Sequence, residues 1–269
     1  MKKVALAAAA GLVALVSRAA AEERVVCTLA WELGSTEPLV SEGECDTRMS
    51  SASTFKIAIS LMGFDSGILS GPDLPEWPLV EGYADWRPEW KRPQTPRSWL
   101  KYSVVWYSQQ ITQRLGPERF ESYVHAFGYG NEDVSGDPGK SNGLTRAWLS
   151  SSLQISPQEQ VAFLGRMLEG ELPVSEEAVA QTRAILDHRV QPEGWETFGK
   201  TGAGLPFGPD GTHLKGQPFG WYVGWAEKGE RRVMFARLSR FDARPERTPG
   251  EIARDGLLGY LFASDGPLS

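Results

Sequence analysis

Strand-like apolar runs sit at both ends of this chain, and helical patterns fill its middle. Near the start, Val25 to Glu32 and Pro38 to Ser41 flank Gly34-Ser35-Thr36, which predicts a hairpin. Polar Ser53 and Thr54 then precede a run from Ile57 to Phe64. That run is apolar nearly all round (Phe55, Ile57, Ile59, Leu61, Met62), so it predicts a buried helix opening near Ser53. Residues 71–99 hold many Pro and Trp and read as a long ordered loop with short turns. From Ser103 to Arg189 helical patterns dominate: Val104 to Leu115, Glu118 to Phe127, Pro157 to Glu169 and Glu176 to Leu186. Ser156 before Pro157 is a good helix start, with Ser at the cap and Pro in the first turn. Strand patterns return near Thr197 and run to Leu238. Phe219 to Ala226 and Arg232 to Ser239 pair about a turn at Glu227 to Glu230, and Glu251 to Phe262 closes the chain as an amphipathic helix. The order predicts an α/β protein. One lobe is built from both termini (about 22–60 and 190–269), and a helical lobe (about 61–189) is inserted between them.

The first residues follow a different logic. Met1-Lys2-Lys3 is basic, Val4 to Val16 is apolar, and Ala19 and Ala21 are small residues at the −3 and −1 positions before Glu22. This is the three-part pattern of a secretory signal peptide spanning 1–21. The apolar run is shorter than the roughly 20 residues a membrane span needs, and Arg18 interrupts it. The expectation is export to the periplasm without a membrane anchor. Export changes how Cys27 and Cys45 are read: in an oxidising compartment they are a possible disulfide that the hairpin would bring together, the alternative being two buried thiols.

Composition narrows the function classes. Ten Trp, eleven Phe and seven Tyr among 269 residues can bury a large core, which excludes disorder as a description of the whole. The net charge of −6 disfavours a nucleic-acid partner, and loss of Lys2, Lys3 and Arg18 would make it more negative. His125, His188 and His213 are too scattered for a zinc site, and two cysteines cannot make an all-cysteine cage, so no metal is expected.

Ser53 and Lys56 lie three apart at a predicted helix start and so share one face. A serine hydroxyl is a poor nucleophile until a neighbouring base takes its proton, and an uncharged lysine can do so. The helix start adds backbone N–H groups able to hold an oxyanion. Alone, S-x-x-K describes a capping Ser followed by a surface Lys as well as it describes a site. Two further elements follow it in order: Ser103-Val104-Val105, and Lys200-Thr201-Gly202 on a predicted strand. A Lys and a Thr there can bind a carboxylate, and the small Gly permits close approach of a ligand.

The ordered set Ser53-Thr54-Phe55-Lys56, Tyr102-Ser103-Val104-Val105-Trp106, Tyr129-Gly130-Asn131, Asn142 to Leu149 and Gly199 to Gly204 resembles the class D, oxacillinase-type, serine β-lactamases over about Cys27 to Tyr260. The resemblance implies an antiparallel sheet flanked by helices, as in penicillin-binding transpeptidases, and β-lactam substrates. It implies that Ser53 forms an acyl-ester, with the oxyanion held between the N–H groups of Ser53 and Ala203. Lys56 would be carbamylated by CO2 and act as general base, and no other cofactor is implied. An apolar surround of Phe55, Val105, Trp148 and Leu149 would keep the amine neutral, and the Trp148 indole N–H would donate to the carbamate. Ser103 would relay a proton to the leaving nitrogen. Lys200 and Thr201 would face the substrate carboxylate together with an Arg from the connection after the last strand, Arg244 being the candidate and Arg240 and Arg247 its rivals. Tyr129-Gly130-Asn131 reads as a structural turn.

Two other readings remain open on the sequence. A β-lactam sensor or penicillin-binding domain would acylate and barely deacylate. A Ser-His-Asp esterase would need one of the three histidines, but the chain has no G-x-S-x-G elbow.

Overall fold

The computed structural model describes residues 21–208 and 212–269. The proposed signal peptide therefore lies outside the described residues except for Ala21. Strand β1 (Glu23–Glu32) turns back into β2 (Val40–Gly43) in antiparallel register, Ala30 opposite Val40 and Cys27 opposite Gly43. This is the predicted hairpin. Its closure carries Cys45 back to Cys27, and the two form a disulfide.

The chain then runs through the short β3 (Met49–Ser50) and a single 3-10 turn, Ala52–Phe55, into α1 (Lys56–Asp65). Ser53 thus sits inside a tight turn, three residues before the regular helix begins. Neither Ser53 nor Thr54 caps the helix: the Thr54 hydroxyl donates back to the Ser51 carbonyl at 2.6 Å. All of α1 from Lys56 to Gly63 is buried, as its all-round apolarity predicts.

The Trp-rich stretch is ordered by reciprocal backbone bonds of 2.9 Å between Trp77 and Gln94. The Trp77 ring stacks on Tyr107 with centroids 4.4 Å apart. The stretch ends in α2 (Pro96–Tyr102), which the sequence reading placed in the loop; a Thr95–Ser98 capping box starts it. Next come α3 (Val105–Leu115), α4 (Pro117–Ala126), the one-turn α5 (Gly143–Arg146) and β4 (Gln154–Ile155), which pairs with β3. Then follow α6 (Pro157–Glu169), with Ser156 and Glu159 capping each other, and α7 (Glu176–Ile185).

A correction falls on the next segment. The helical region is expected to run to Arg189, yet Asp187–Val190 form β5, an edge strand paired with β6 (Glu196–Gly204). Four residues are too few for their period to be told from the end of the preceding helix. β7 (Phe219–Lys228) and β8 (Arg231–Phe241) form the predicted second hairpin, and α8 (Pro249–Leu261) follows. The six-stranded antiparallel sheet has the order β2-β1-β8-β7-β6-β5. Strands from both ends of the chain thus share one sheet.

Side chains alternate across that sheet. On β7, Trp221, Val223 and Trp225 join the core that also holds α1 and α6. Tyr222 and Ala226 join a second core with Ala253, Leu257 and Leu261 of α8. The sheet is therefore covered on both faces.

The disulfide closes a loop with a sequence separation of 18. Replacing both cysteines by alanine should lower stability by about 3 kcal/mol through the freed unfolded chain. A urea melt of the double variant, with an unchanged far-UV spectrum, checks this.

Candidate active site

Three chain segments far apart in sequence meet at Ser53. The first is the turn that carries Ser53, the candidate nucleophile. Ala52 adopts a left-handed backbone conformation (φ 47°), and the turn after it presents Ser53 half-buried while Thr54 and Phe55 go inward. Lys56 follows at the start of α1, with 0% of its surface exposed. Its Nζ lies 3.2 Å from Ser53 Oγ. Among the described residues no carboxylate pairs with this amine. Burial pushes its pKa well down, and the nearby charge of Lys200 pushes it further the same way.

The second segment is the junction of α2 and α3. Ser103 closes α2 in the left-handed region (φ 55°), a costly conformation for a residue with a side chain. The Trp99 carbonyl accepts from the Val104 N–H at 3.0 Å and holds the bend. The bend puts Ser103 and Val105 on the wall of the cavity that Ser53 opens into.

The third is β6. Its pairing with β5 stops at Gly199, so Lys200 to Gly204 keep one edge free of a partner strand. Lys200, Thr201 and Ala203 line the same cavity of about 640 Å³. The Lys200 Nζ donates to the Thr201 carbonyl at 3.0 Å. Burial first of all holds its pKa down at about 8; Asp187 pulls it up, and the charges of Arg87 and Arg254 lower it further. Gly202 is needed for the approach of this strand: a Cβ there would meet the Thr54 methyl at 3.1 Å and the Ser51 carbonyl oxygen at 3.3 Å.

Trp148 arrives from the loop after α5 and is fully buried. Its ring lies 5.7 Å from Phe55 and 6.3 Å from Phe120. Its indole Nε1 is buried without a hydrogen-bond partner among the described residues. A buried donor left alone is costly, and it marks a place where an acceptor is wanted. Leu149 next to it lines the cavity. Ser50, three residues before the nucleophile, fastens this loop to the turn. Its hydroxyl donates to the Trp148 carbonyl at 2.9 Å and accepts the Ser150 N–H at 3.0 Å, while the Trp221 indole donates to the Ser50 carbonyl at 3.0 Å. Asp137 braces the loop from outside by accepting from Asn142, Arg146 and Ser151. Tyr129-Gly130-Asn131 is a turn that supports the same floor. Tyr129 packs edge-on against Phe55 at 4.9 Å, and the Asn131 side chain ties Ser152 and Gln154. Gly130 is required there (φ 61°), since a Cβ would lie 2.0 Å from the Gln154 carbonyl oxygen.

Not every residue named from the sequence is brought to the cavity. Arg244 is exposed and lines an adjoining depression, and Arg247, also outside, is ion-paired with Asp255. Arg87, Arg97 and Arg189 line the cavity, and so does Arg254 on α8, which comes after the last strand and is ion-paired to Asp255 at 2.8 Å. Sequence reasoning passed over Arg254 by searching the loop before the helix. The signal was present: Arg254 sits four residues after Gly250 and three before Leu257, on the apolar stripe of α8, where a charge is out of place. None of the three histidines is hydrogen-bonded to Ser53 among the described residues, although His188 lies on the wall of the same cavity. His125 bonds to Glu132 at 2.6 Å and His188 to Glu196 at 3.1 Å, both at the surface, and the His213 ring stacks on Phe207.

The comparisons agree with this geometry. The family model of the penicillin-binding protein transpeptidase domain matches residues 11–254. The β-lactamase OXA-9 of Klebsiella pneumoniae is 44% identical over 240 residues, 89% of this chain and 88% of that protein. The β-lactamase OXA-1 of Escherichia coli is 37% identical over 201 residues, 74% of this chain and 70% of that protein. The crystal structure of the OXA-427 class D β-lactamase superposes with a TM-score of 0.83 at 45% identity, covering 87% of this chain and 96% of that one. The chain belongs to the class D serine β-lactamases. Among the described residues of this β-lactamase, no group of side chains is arranged to hold a metal ion, and no helix is long and apolar enough to cross a membrane.

Because the Ser50 hydroxyl joins the Trp148 loop to the nucleophile turn, Ser50→Ala should cost about 1–3 kcal/mol by leaving buried partners unpaired. Thermal melts beside turnover measurements should show both falling, and Ser50→Thr should recover part of each.

Proposed function

We propose that the protein hydrolyses the β-lactam ring of penicillin-type antibiotics, conferring resistance, through an acyl-ester on Ser53. The observation that carries this reading is the Lys56 amine: wholly buried, free of any carboxylate and 3.2 Å from Ser53 Oγ. Burial, and then the charge of Lys200, push the pKa of this amine well down and so favour the uncharged form, which is the one able to take up CO2. The unpaired Trp148 indole N–H suits an anion at that place. A carbamate on Lys56 supplies a general base for the proton of Ser53 and later for that of water.

The chain's own residues do the rest. Ser53 Oγ attacks the ring carbonyl carbon, and the N–H groups of Ser53 and Ala203 receive the negative charge that forms on the oxygen. The carbon–nitrogen bond breaks as Ser103 passes a proton to the ring nitrogen. Water then cleaves the ester and restores the Ser53 hydroxyl. Lys200, Thr201 and Arg254 receive the substrate carboxylate, the arginine taking the role first sought at Arg244. Val105 and Leu149 limit water at the amine.

The same reading extends to organisation and place. The site lies on the seam between a lobe of residues 22–60 and 190–269 and a helical lobe of 61–189. A signal peptide over 1–21 directs the protein to the periplasm, and the Cys27–Cys45 disulfide suits an oxidising compartment.

Intact mass after mixing with a penicillin should show a transient adduct that clears, and none with Ser53→Ala. An adduct that persists would favour the sensor or penicillin-binding reading instead. The lowered pKa of Lys56 sets the pH dependence: acid protonates the amine and releases CO2, so activity should fall as pH drops and return on adding bicarbonate. Labelled bicarbonate should give a carbamate carbon signal that Lys56→Ala abolishes; persistence of the signal in that variant would refute the assignment.

A further inference from the structure

The cleft does not end at Ala203. A second depression of about 440 Å³ continues beyond it, and Arg87, Ala203 and Thr248 line both. The walls of this extension also carry Lys215, Arg244 and Arg247, against one carboxylate, Glu246. Arg247 is already ion-paired with Asp255. Arg87, Lys215 and Arg244 are exposed, and none of their side chains has an ion pair or hydrogen bond among the described residues. Arg87 is close enough to the reaction centre that its charge helps to lower the pKa of Lys200. Three unneutralised cations thus gather around one concave surface of a protein whose net charge is −6.

The direction of the extension decides what it can meet. In a β-lactam the ring carboxylate and the acylamino substituent lie on opposite sides of the scissile carbonyl. With that carbonyl at Ser53 and the carboxylate at Lys200 and Thr201, the acyl chain runs along β6 past Ala203. It therefore enters the basic depression. An apolar acyl chain gains nothing from cations there, whereas a second acid group does.

We propose that this depression is an anion-accepting subsite that selects β-lactams carrying a second carboxylate on the acyl side chain, with Arg87 and Arg244 as its specificity-determining residues. The inference rests on the β-lactamase reading and deepens it by naming a substrate class.

Benzylpenicillin and α-carboxybenzylpenicillin differ by that one carboxylate. The readout is the ratio of kcat/KM for the second over the first, measured for the unaltered protein and for Arg87→Ala, Arg244→Ala and the double variant. Each single change should lower the ratio by up to about fivefold, and the pair by about tenfold, as expected for partly exposed charge pairs. Added salt should lower the ratio in the unaltered protein and barely move it in the double variant. A ratio that stays constant, whether both substrates weaken together or neither does, overturns the proposal, because the arginines would then read the shared ring carboxylate or nothing. If the unaltered protein turned over neither compound, the β-lactamase reading itself would fall.

Discussion

Lys56 is held out of water with no counter-ion, and most of the active region is built around that constraint. An ammonium in such a place would carry a desolvation penalty of several kcal/mol, so the fold has to hold the amine neutral or hold an anion made from it. Burial on α1 removes the water. The positive charge of Lys200 opposes a second positive charge close by. The Trp148 indole waits with an unused proton. Each of these costs stability when considered alone, and together they support the proposed reading of a lysine that works in a form other than the ammonium.

The cost of that arrangement explains why the surroundings are so heavily braced. Trp148, Phe55, Phe120 and Tyr129 form a rigid aromatic floor. Ser50 bonds the Trp148 loop to the nucleophile turn, and Asp137 accepts three hydrogen bonds on the outer side of the loop. An isolated indole N–H survives in a core only if nothing can rotate to satisfy it. Left-handed residues occur at the same junctions: Ala52 before the nucleophile, Ser103 at the second serine and Ser150 after Trp148. Backbone strain of this kind persists where surrounding contacts over-determine the conformation, which is common at catalytic sites.

Much of this was legible in the sequence, for reasons that differ by element. The two hairpins and the helices α3, α4, α6 and α7 announce themselves by period and by turn or cap residues, as Ser156-Pro157 does for α6. The hairpin made the disulfide possible, and the structure decides between it and two buried thiols. β5 was missed because four residues after a helix show no period of their own. The 3-10 turn at Ser53 was read as a helix cap because the cue, polar residues before an apolar run, is the same for both. At the site, Ser53, Lys56, Ser103 and Lys200 were visible as spaced motifs. Arg254 was not, since its place depends on how α8 docks across β6, which no local pattern reports. The unpaired state of the Trp148 indole likewise exists only in three dimensions.

The free edge of β6 links these observations to what the enzyme can discriminate. β5 covers the strand only as far as Gly199, so the substrate meets bare backbone from Lys200 onward, with the nucleophile on one side and α8 on the other. On the proposed reading that edge orients any β-lactam in the same sense, because its requirements are shared: a carboxylate toward Lys200 and a carbonyl oxygen at the Ala203 N–H. Selection among β-lactams must therefore come from what lies further along the strand. There Arg87 and Arg244, without an ion pair among the described residues, stand beside apolar lining from Leu205, Pro218 and Pro245. On the proposed reading the chemistry rests on a dry amine at one end of the cleft, and the choice of substrate on exposed charge at the other. Substitutions that alter preference are thus free to arise without disturbing the buried base.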